Sequence, residues 1–255
     1  MNEICDDLTA EHDDLDRIVE GADLDVSTPA PGWTVRDQIT HLWFFDQRAL
    51  MALTDPEAFQ RDAEELMRTG ADAANEQQGR HLPPDELLAR WRADRAALVA
   101  HARTVDPKAR VPWYGPAMSA RSFITARLME TWAHGQDIAD ALGAERTPTD
   151  RLRHVAHIGV GARRFSYVTN GREPNEAPIR VELVAPSGEL WTWGPEDAED
   201  RVTGPALDFC LLVTQRRHRA DLAVVAQGPN ADEWLDIAQA FAGPPGQGRR
   251  PGQFA

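Results

Sequence analysis

Glu130 and His134 are four residues apart in Leu128-Met129-Glu130-Thr131-Trp132-Ala133-His134, and His41 opens a second apolar run, His41-Leu42-Trp43-Phe44-Phe45. On a helix that spacing stacks a carboxylate and an imidazole on one face, within reach of a single ion. A neighbouring helix that brings His41 alongside completes a set of two imidazoles and one carboxylate, with coordination positions left open for catalysis. Glutamate and histidine also meet this spacing by chance in any helix-rich chain. Two readings therefore stand: a metal site, or a packed core histidine paired with Glu130. The apolar frames around both histidines make a bare buried carboxylate costly, and a metal is one economical partner for it.

Helices must position these residues. Residues 3–20 place Ile4, Leu8, His12, Leu15, Ile18 and Val19 at helical spacing, with acidic residues on the outer face. After the turn-rich Thr28-Pro29-Ala30-Pro31-Gly32-Trp33, Thr34 is expected as the N-cap and Asp37 as a first-turn acid of a second helix, which carries His41 about two turns in. Asp46, five residues beyond His41, projects elsewhere on an ideal helix and reads as an exposed charge. Asp137, three residues beyond His134, is spaced to hydrogen-bond an imidazole. Residues 56–70 read as an acidic, mostly exposed helix or lid, and Pro84 starts a helix running through Leu88, Trp91, Arg95, Leu98 and Val99.

Val111-Pro112-Trp113-Tyr114-Gly115-Pro116 interrupts the helical pattern and has the composition of a loop flanking a pocket. Residues 119–142 form the helix that bears Glu130 and His134, with Gly143 as its C-terminal stop. Residues 150–170 read as one further helix ending at Asn170-Gly171. Four long amphipathic helices describe a bundle, and bundles build metal sites from side chains on facing helices.

The pattern changes near Pro174. Ile179-Arg180-Val181-Glu182-Leu183-Val184 alternates apolar and polar side chains, Pro186-Ser187-Gly188-Glu189 is a turn, and Leu190-Trp191-Thr192-Trp193 returns as the partner strand of a hairpin. Residues 206–215 and 232–241 read as short helices, and the tail from Gly243 as loosely ordered. The fold class is mainly α: a four-helix bundle over residues 1–174, then a small α+β domain over residues 175–255.

Composition excludes several partners. There are 41 acidic and 27 basic residues, a net charge of −14, and residues 1–80 hold 19 acidic against 6 basic, a balance of −13. Such a surface repels phosphate backbones and anionic lipid, so neither nucleic acid nor a membrane is expected as a partner. No stretch approaches the roughly 18 apolar residues of a membrane span, and the N-terminus lacks the basic and apolar regions of a secretion signal. Cys5 and Cys210 lie too far apart for a ligand pair or disulfide framework, which points to a reducing, cytoplasmic compartment.

Pro31-Gly32-Trp33-Thr34-Val35-Arg36-Asp37-Gln38-Ile39-Thr40-His41-Leu42 and Glu130-Thr131-Trp132-Ala133-His134-Gly135-Gln136-Asp137-Ile138 resemble the two signatures of the mycothiol-dependent maleylpyruvate isomerase family, a branch of the DinB-like four-helix-bundle metalloproteins. The resemblance implies that His41, Glu130 and His134 bind a divalent metal, zinc in that family. It further implies mycothiol as a thiol co-substrate, in isomerisation or group transfer on a small electrophilic substrate. Family members carry a small C-terminal domain that can supply an arginine to the pocket. In Thr214-Gln215-Arg216-Arg217-His218-Arg219 the candidates are Arg216 and Arg217, either of which can bind a carboxylate through a planar fork. The alternative for this segment is a basic helix end answering the helix dipole.

Two other functions stay open at this level. One is a thiol-independent metal hydrolase or lyase; the other is a bundle that binds a small molecule without turnover. His154, His157 and His218 are not chosen as ligands, and Trp33, Trp43, Trp113 and Trp132 are read as core instead of a ligand cage. Monomer and homodimer are equally compatible with the sequence.

Overall fold

The computed structural model describes residues 1–69 and 79–254 and divides into two compact units, Met1–Glu145 and Arg146–Ala255. In the first unit, α1 (Asn2–Val19), α2 (Val35–Thr54), α4 (Pro84–Ala102) and α5 (Ala120–Leu142) make the four-helix bundle, with α3 (Pro56–Thr69) following α2. The mainly α architecture with a small C-terminal sheet is the fold class read from the sequence. Among the described residues no helix is long and apolar enough to cross a membrane.

Local sequence explains where the bundle helices start and stop. Thr34 and Asp37 form a reciprocal capping box on α2: the Asp37 amide donates to Thr34 Oγ1 at 3.3 Å, and the Thr34 amide donates to Asp37 Oδ2 at 2.8 Å. Ser119 caps α5 by accepting from the Ser122 amide at 3.1 Å, and Gly143 ends it with a φ of 62°, the left-handed conformation that glycine adopts without a Cβ penalty. Leu15, Ile39, Leu42, Trp91 and Ile138 meet in one hydrophobic core. α3 is mostly exposed and buries a stripe at Phe59, Ala63 and Leu66. Gly70, expected to close it, lies outside the described residues.

Asp46 departs from expectation. It is buried, accepting from the Trp91 indole at 3.0 Å and from Arg127 Nε and Nη2 at 3.1 and 2.9 Å. The reason lies in its helix face. Asp46 is one turn beyond Leu42, in the stripe of α2 that looks into the core, and its charge is met by an arginine from α5.

In the second unit the expected single helix at 150–170 is two, α6 (Leu152–Gly161) and α7 (Arg163–Thr169), separated at Ala162. The strands β3 (Ile179–Val184), β4 (Leu190–Trp193), β5 (Asp200–Pro205) and β6 (Val225–Gln227) form a sheet in the order β4-β3-β5-β6. β3 and β4 make the antiparallel hairpin read from the sequence, whereas β3 and β5 are parallel. The helices α8 (Ala206–Val213) and α9 (Pro229–Ile237) complete the unit.

The division at Glu145 precedes the boundary expected near residue 174, because α6 and α7 pack on elements that follow them. A Cβ on Gly159 of α6 would stand 2.8 Å from Val213 Cγ2 on α8. The buried Cys210 thiol donates to the Leu152 carbonyl at 3.5 Å, and the Gln239 amide donates to Ser166 Oγ at 3.0 Å.

Candidate metal centre

α2 and α5 pack face to face and bring the three nominated ligands together. One ligand atom each from His41, Glu130 and His134 lies within 4.8 Å of the others, and this is the cluster of such groups found among the described residues. Glu130 Oε2 is 3.4 Å from His134 Nε2, and the two imidazole centroids are 4.4 Å apart. Ligands held about 2.1 Å from a tetrahedral ion are separated by about 3.4 Å, so the Glu130–His134 edge matches one edge of such a site. It is also longer than a well-formed N–H···O bond. Two imidazoles and one carboxylate are a donor set suited to zinc and its neighbours.

The surroundings orient and shield the set. The Glu130 and His134 side chains keep 24% and 12% of their exposure, enough to admit a small ligand without leaving the carboxylate in bulk water. Trp33 lies nearly parallel to the His134 ring at 6.0 Å and tilted against His41 at 5.2 Å, while Phe45 packs on His41 at 4.7 Å. Trp33 is thus a wall of the centre and not only core. Trp43 and Trp132 are buried as expected.

Two short strands, β1 (Arg110–Val111) and β2 (Met118–Ser119), pair antiparallel and pin the loop at 112–117. Trp113 and Tyr114 of this loop stack around Phe45 and Phe59, so the segment read as flanking a pocket reaches the aromatic wall next to His41. Burial pushes the Tyr114 phenol up to about 12, against the opposing charge of Arg48, so this hydroxyl stays protonated at neutral pH.

The group that meets His134 Nδ1 is Gln38, whose Oε1 is 2.5 Å away. Asp137, spaced to reach an imidazole, is buried on α5. Gln38 lies on α2, 96 residues away in sequence, and no local pattern announces it.

The remaining sequence candidates sit elsewhere. His157 is exposed and accepts from the Trp193 indole at 3.3 Å, and His218 Nδ1 caps a short 3-10 turn by accepting from the Ala220 amide at 3.0 Å. Arg216 and Arg217 belong to the second unit, in the turn that ends α8, where Gln215 takes a left-handed φ of 59°. Arg216 Nη1 donates to the Thr214 carbonyl at 2.5 Å, and the Arg217 guanidinium lies 4.0 Å over the Phe254 ring.

Comparison with known proteins adds to this geometry. Residues 6–139 match the model of the mycothiol maleylpyruvate isomerase N-terminal domain. Residues 175–227 match a model described as wyosine base formation. Two Mycobacterium tuberculosis proteins, from strains CDC 1551 and ATCC 25618 and both named as uncharacterized, are each 50% identical over 254 residues, spanning 95% of this chain and 96% of the relative. Among solved structures, the mycothiol-dependent maleylpyruvate isomerase and a histidine-to-alanine mutant of it superpose with TM-scores of 0.55 and 0.56 at 19% identity, over 90% of this chain and 95% of theirs. At that identity the likeness is one of fold.

Proposed function

We propose, from the premise that this chain belongs to the mycothiol maleylpyruvate isomerase N-terminal domain family, that it is an enzyme using a divalent metal and a low-molecular-weight thiol, mycothiol, to isomerise or transfer a group to a small electrophile. The observation that carries the reading is the convergence of His41, Glu130 and His134 from two helices. Zinc is the preferred ion, and the cytoplasm the setting.

A divalent ion held by His41, Glu130 and His134 would supply Lewis acidity and lower the pKa of a thiol. As neutral donors, His41 and His134 together with the one negative charge of Glu130 would leave a divalent ion net positive, which would favour a thiolate over a neutral thiol. Trp33 and Phe45 pack on the His41 ring. Isomerisation of this class needs a nucleophile that adds to an activated double bond, permits rotation, and departs unchanged, so atoms and charge balance over the cycle. Group transfer ends at the adduct. Arg216 or Arg217 is the proposed partner for a carboxylate of the substrate, a role that suits the planar fork of a guanidinium.

Replacing His41, Glu130 and His134 singly by alanine and measuring bound metal tests the centre: each variant should lose most of it, and undiminished metal in all three would remove the assignment. Calorimetry with mycothiol on metal-loaded and metal-free protein tests the thiol. Binding should require metal and tighten as pH rises toward the thiol's free pKa. Equal binding to both forms, or to neither, would favour water activation or a non-catalytic role instead.

A further inference from the structure

The hydrogen bonds leading to His134 have a polarity that the chemistry of each group dictates. The Trp33 carbonyl carries no proton, so the Thr28 hydroxyl 2.9 Å away must donate to it. With its one proton committed, Thr28 Oγ1 accepts from Gln38 Nε2 at 3.1 Å. That turns the Gln38 amide so that Oε1 faces His134 Nδ1 at 2.5 Å, and an amide oxygen at that distance requires a proton on Nδ1. A neutral imidazole has a single ring proton, so the lone pair is on Nε2. Nε2 is also the atom 3.4 Å from Glu130. Gln38 is fully buried, which leaves no solvent to compete for its amide.

We infer that the Trp33–Thr28–Gln38 chain is a tautomer lock: it holds His134 with its proton on Nδ1 and so presents Nε2 to a divalent cation, which makes Gln38 a positioning residue of the metal centre. Gln38 lies one turn before His41 on α2. One helix therefore supplies a ligand and also fixes the ligand offered by the other helix. The parallel Trp33 ring restrains the plane of the His134 imidazole, while the backbone carbonyl of the same residue anchors the lock. The consequence for metal affinity rests on the reading of His134 as a ligand, whereas the tautomer does not.

The test uses the full chain, metal-free, at a pH well above the ordinary histidine value. Nitrogen-15 correlation spectra, with the His134 signals assigned by their absence in His134→Gln, should show Nδ1 protonated and Nε2 bare in the wild type. Gln38→Met keeps the length of the side chain but offers no amide, and should shift the ring toward the Nε2–H form. Its zinc affinity, measured by chelator competition, should fall roughly 10–100-fold, the usual range for losing a partner that orients a metal-binding histidine. Gln38→Glu retains an acceptor and should recover most of that loss, which a general packing defect would not allow. A wild-type His134 protonated on Nε2 overturns the lock without using any variant, and wild-type zinc affinity in a folded Gln38→Met overturns the positioning role. If the tautomer is as stated but the wild type binds no zinc, the metal reading of the three ligands falls, and the positioning role with it.

Discussion

Arg127→Met should be among the most damaging single substitutions in the bundle, although it removes a charged residue from a hydrophobic setting. Asp46 and Arg127 keep only 2% and 5% side-chain exposure, and their 2.9 Å ion pair joins α2 to α5. Methionine fills much of the space but removes the hydrogen-bonded cation from the Asp46 carboxylate, leaving the Trp91 indole as a neutral donor and only the field of Arg95, over the Trp91 ring, as opposing charge. Leaving one partner of a buried pair uncompensated costs about 3–5 kcal/mol. At about 3 °C per kcal/mol for a chain of this size, Tm should fall by about 9–15 °C.

The cause is separable from lost packing. Asp46→Asn in the Arg127→Met background removes the stranded charge yet can still accept from Trp91, so it should recover a large part of the loss. Urea unfolding of wild type, both single variants and the double variant, followed by circular dichroism and tryptophan fluorescence, gives the four corners of the cycle. A cost for Arg127→Met below about 1 kcal/mol, the level of an exposed ion pair, would refute the argument. So would a double variant whose cost is the sum of the two single ones. Because the pair joins the two helices that carry His41 and Glu130, zinc affinity should fall together with stability.

Further outcomes follow from other residues. His12 is buried edge-on to Trp91, and burial, reinforced by the positive charges of Arg95 and Arg127, holds its pKa well below the ordinary 6.5. The unfolded chain therefore takes up a proton there that the folded chain refuses, so this contribution is complete above pH 6.5 and is lost as pH falls below it, at up to about 1.4 kcal/mol per unit. Urea midpoints between neutral and mildly acidic pH should drop less steeply for His12→Met than for wild type, and equal slopes would remove His12 as the cause. Gly159→Ala gains helix propensity but drives a methyl to 2.8 Å from Val213; a lower Tm, partly restored by adding Val213→Ala, is expected from calorimetry of the melts. Arg216→Lys and Arg217→Lys should raise KM for an anionic substrate with bound metal unchanged, and wild-type kinetics in both would count against their assignment.

The elements, and the pairing of Glu130 with His134, were legible because their signals are local. Thr34 with Asp37, Gly143 after Leu142, and Glu130 with His134 each act over three or four residues, so one helical turn of sequence contains the whole message. Asp46 and Gln38 failed that test for a common reason. Both sit one turn from an evident landmark on α2, and the chain positions that complete them, Arg127 and His134, come from α5, 81 and 96 residues further on. Projection on an isolated helix tells which side a polar group faces, but the identity of its partner depends on which helix packs there and in what register. Burial resolves the ambiguity after the fact: a buried carboxylate requires a cation, and a buried amide beside an imidazole fixes a proton. The same two helices that needed local signals to form therefore needed non-local polar pairs to settle against each other, and the register that satisfies Asp46–Arg127 is the register that delivers Gln38 to His134 and His41 to Glu130.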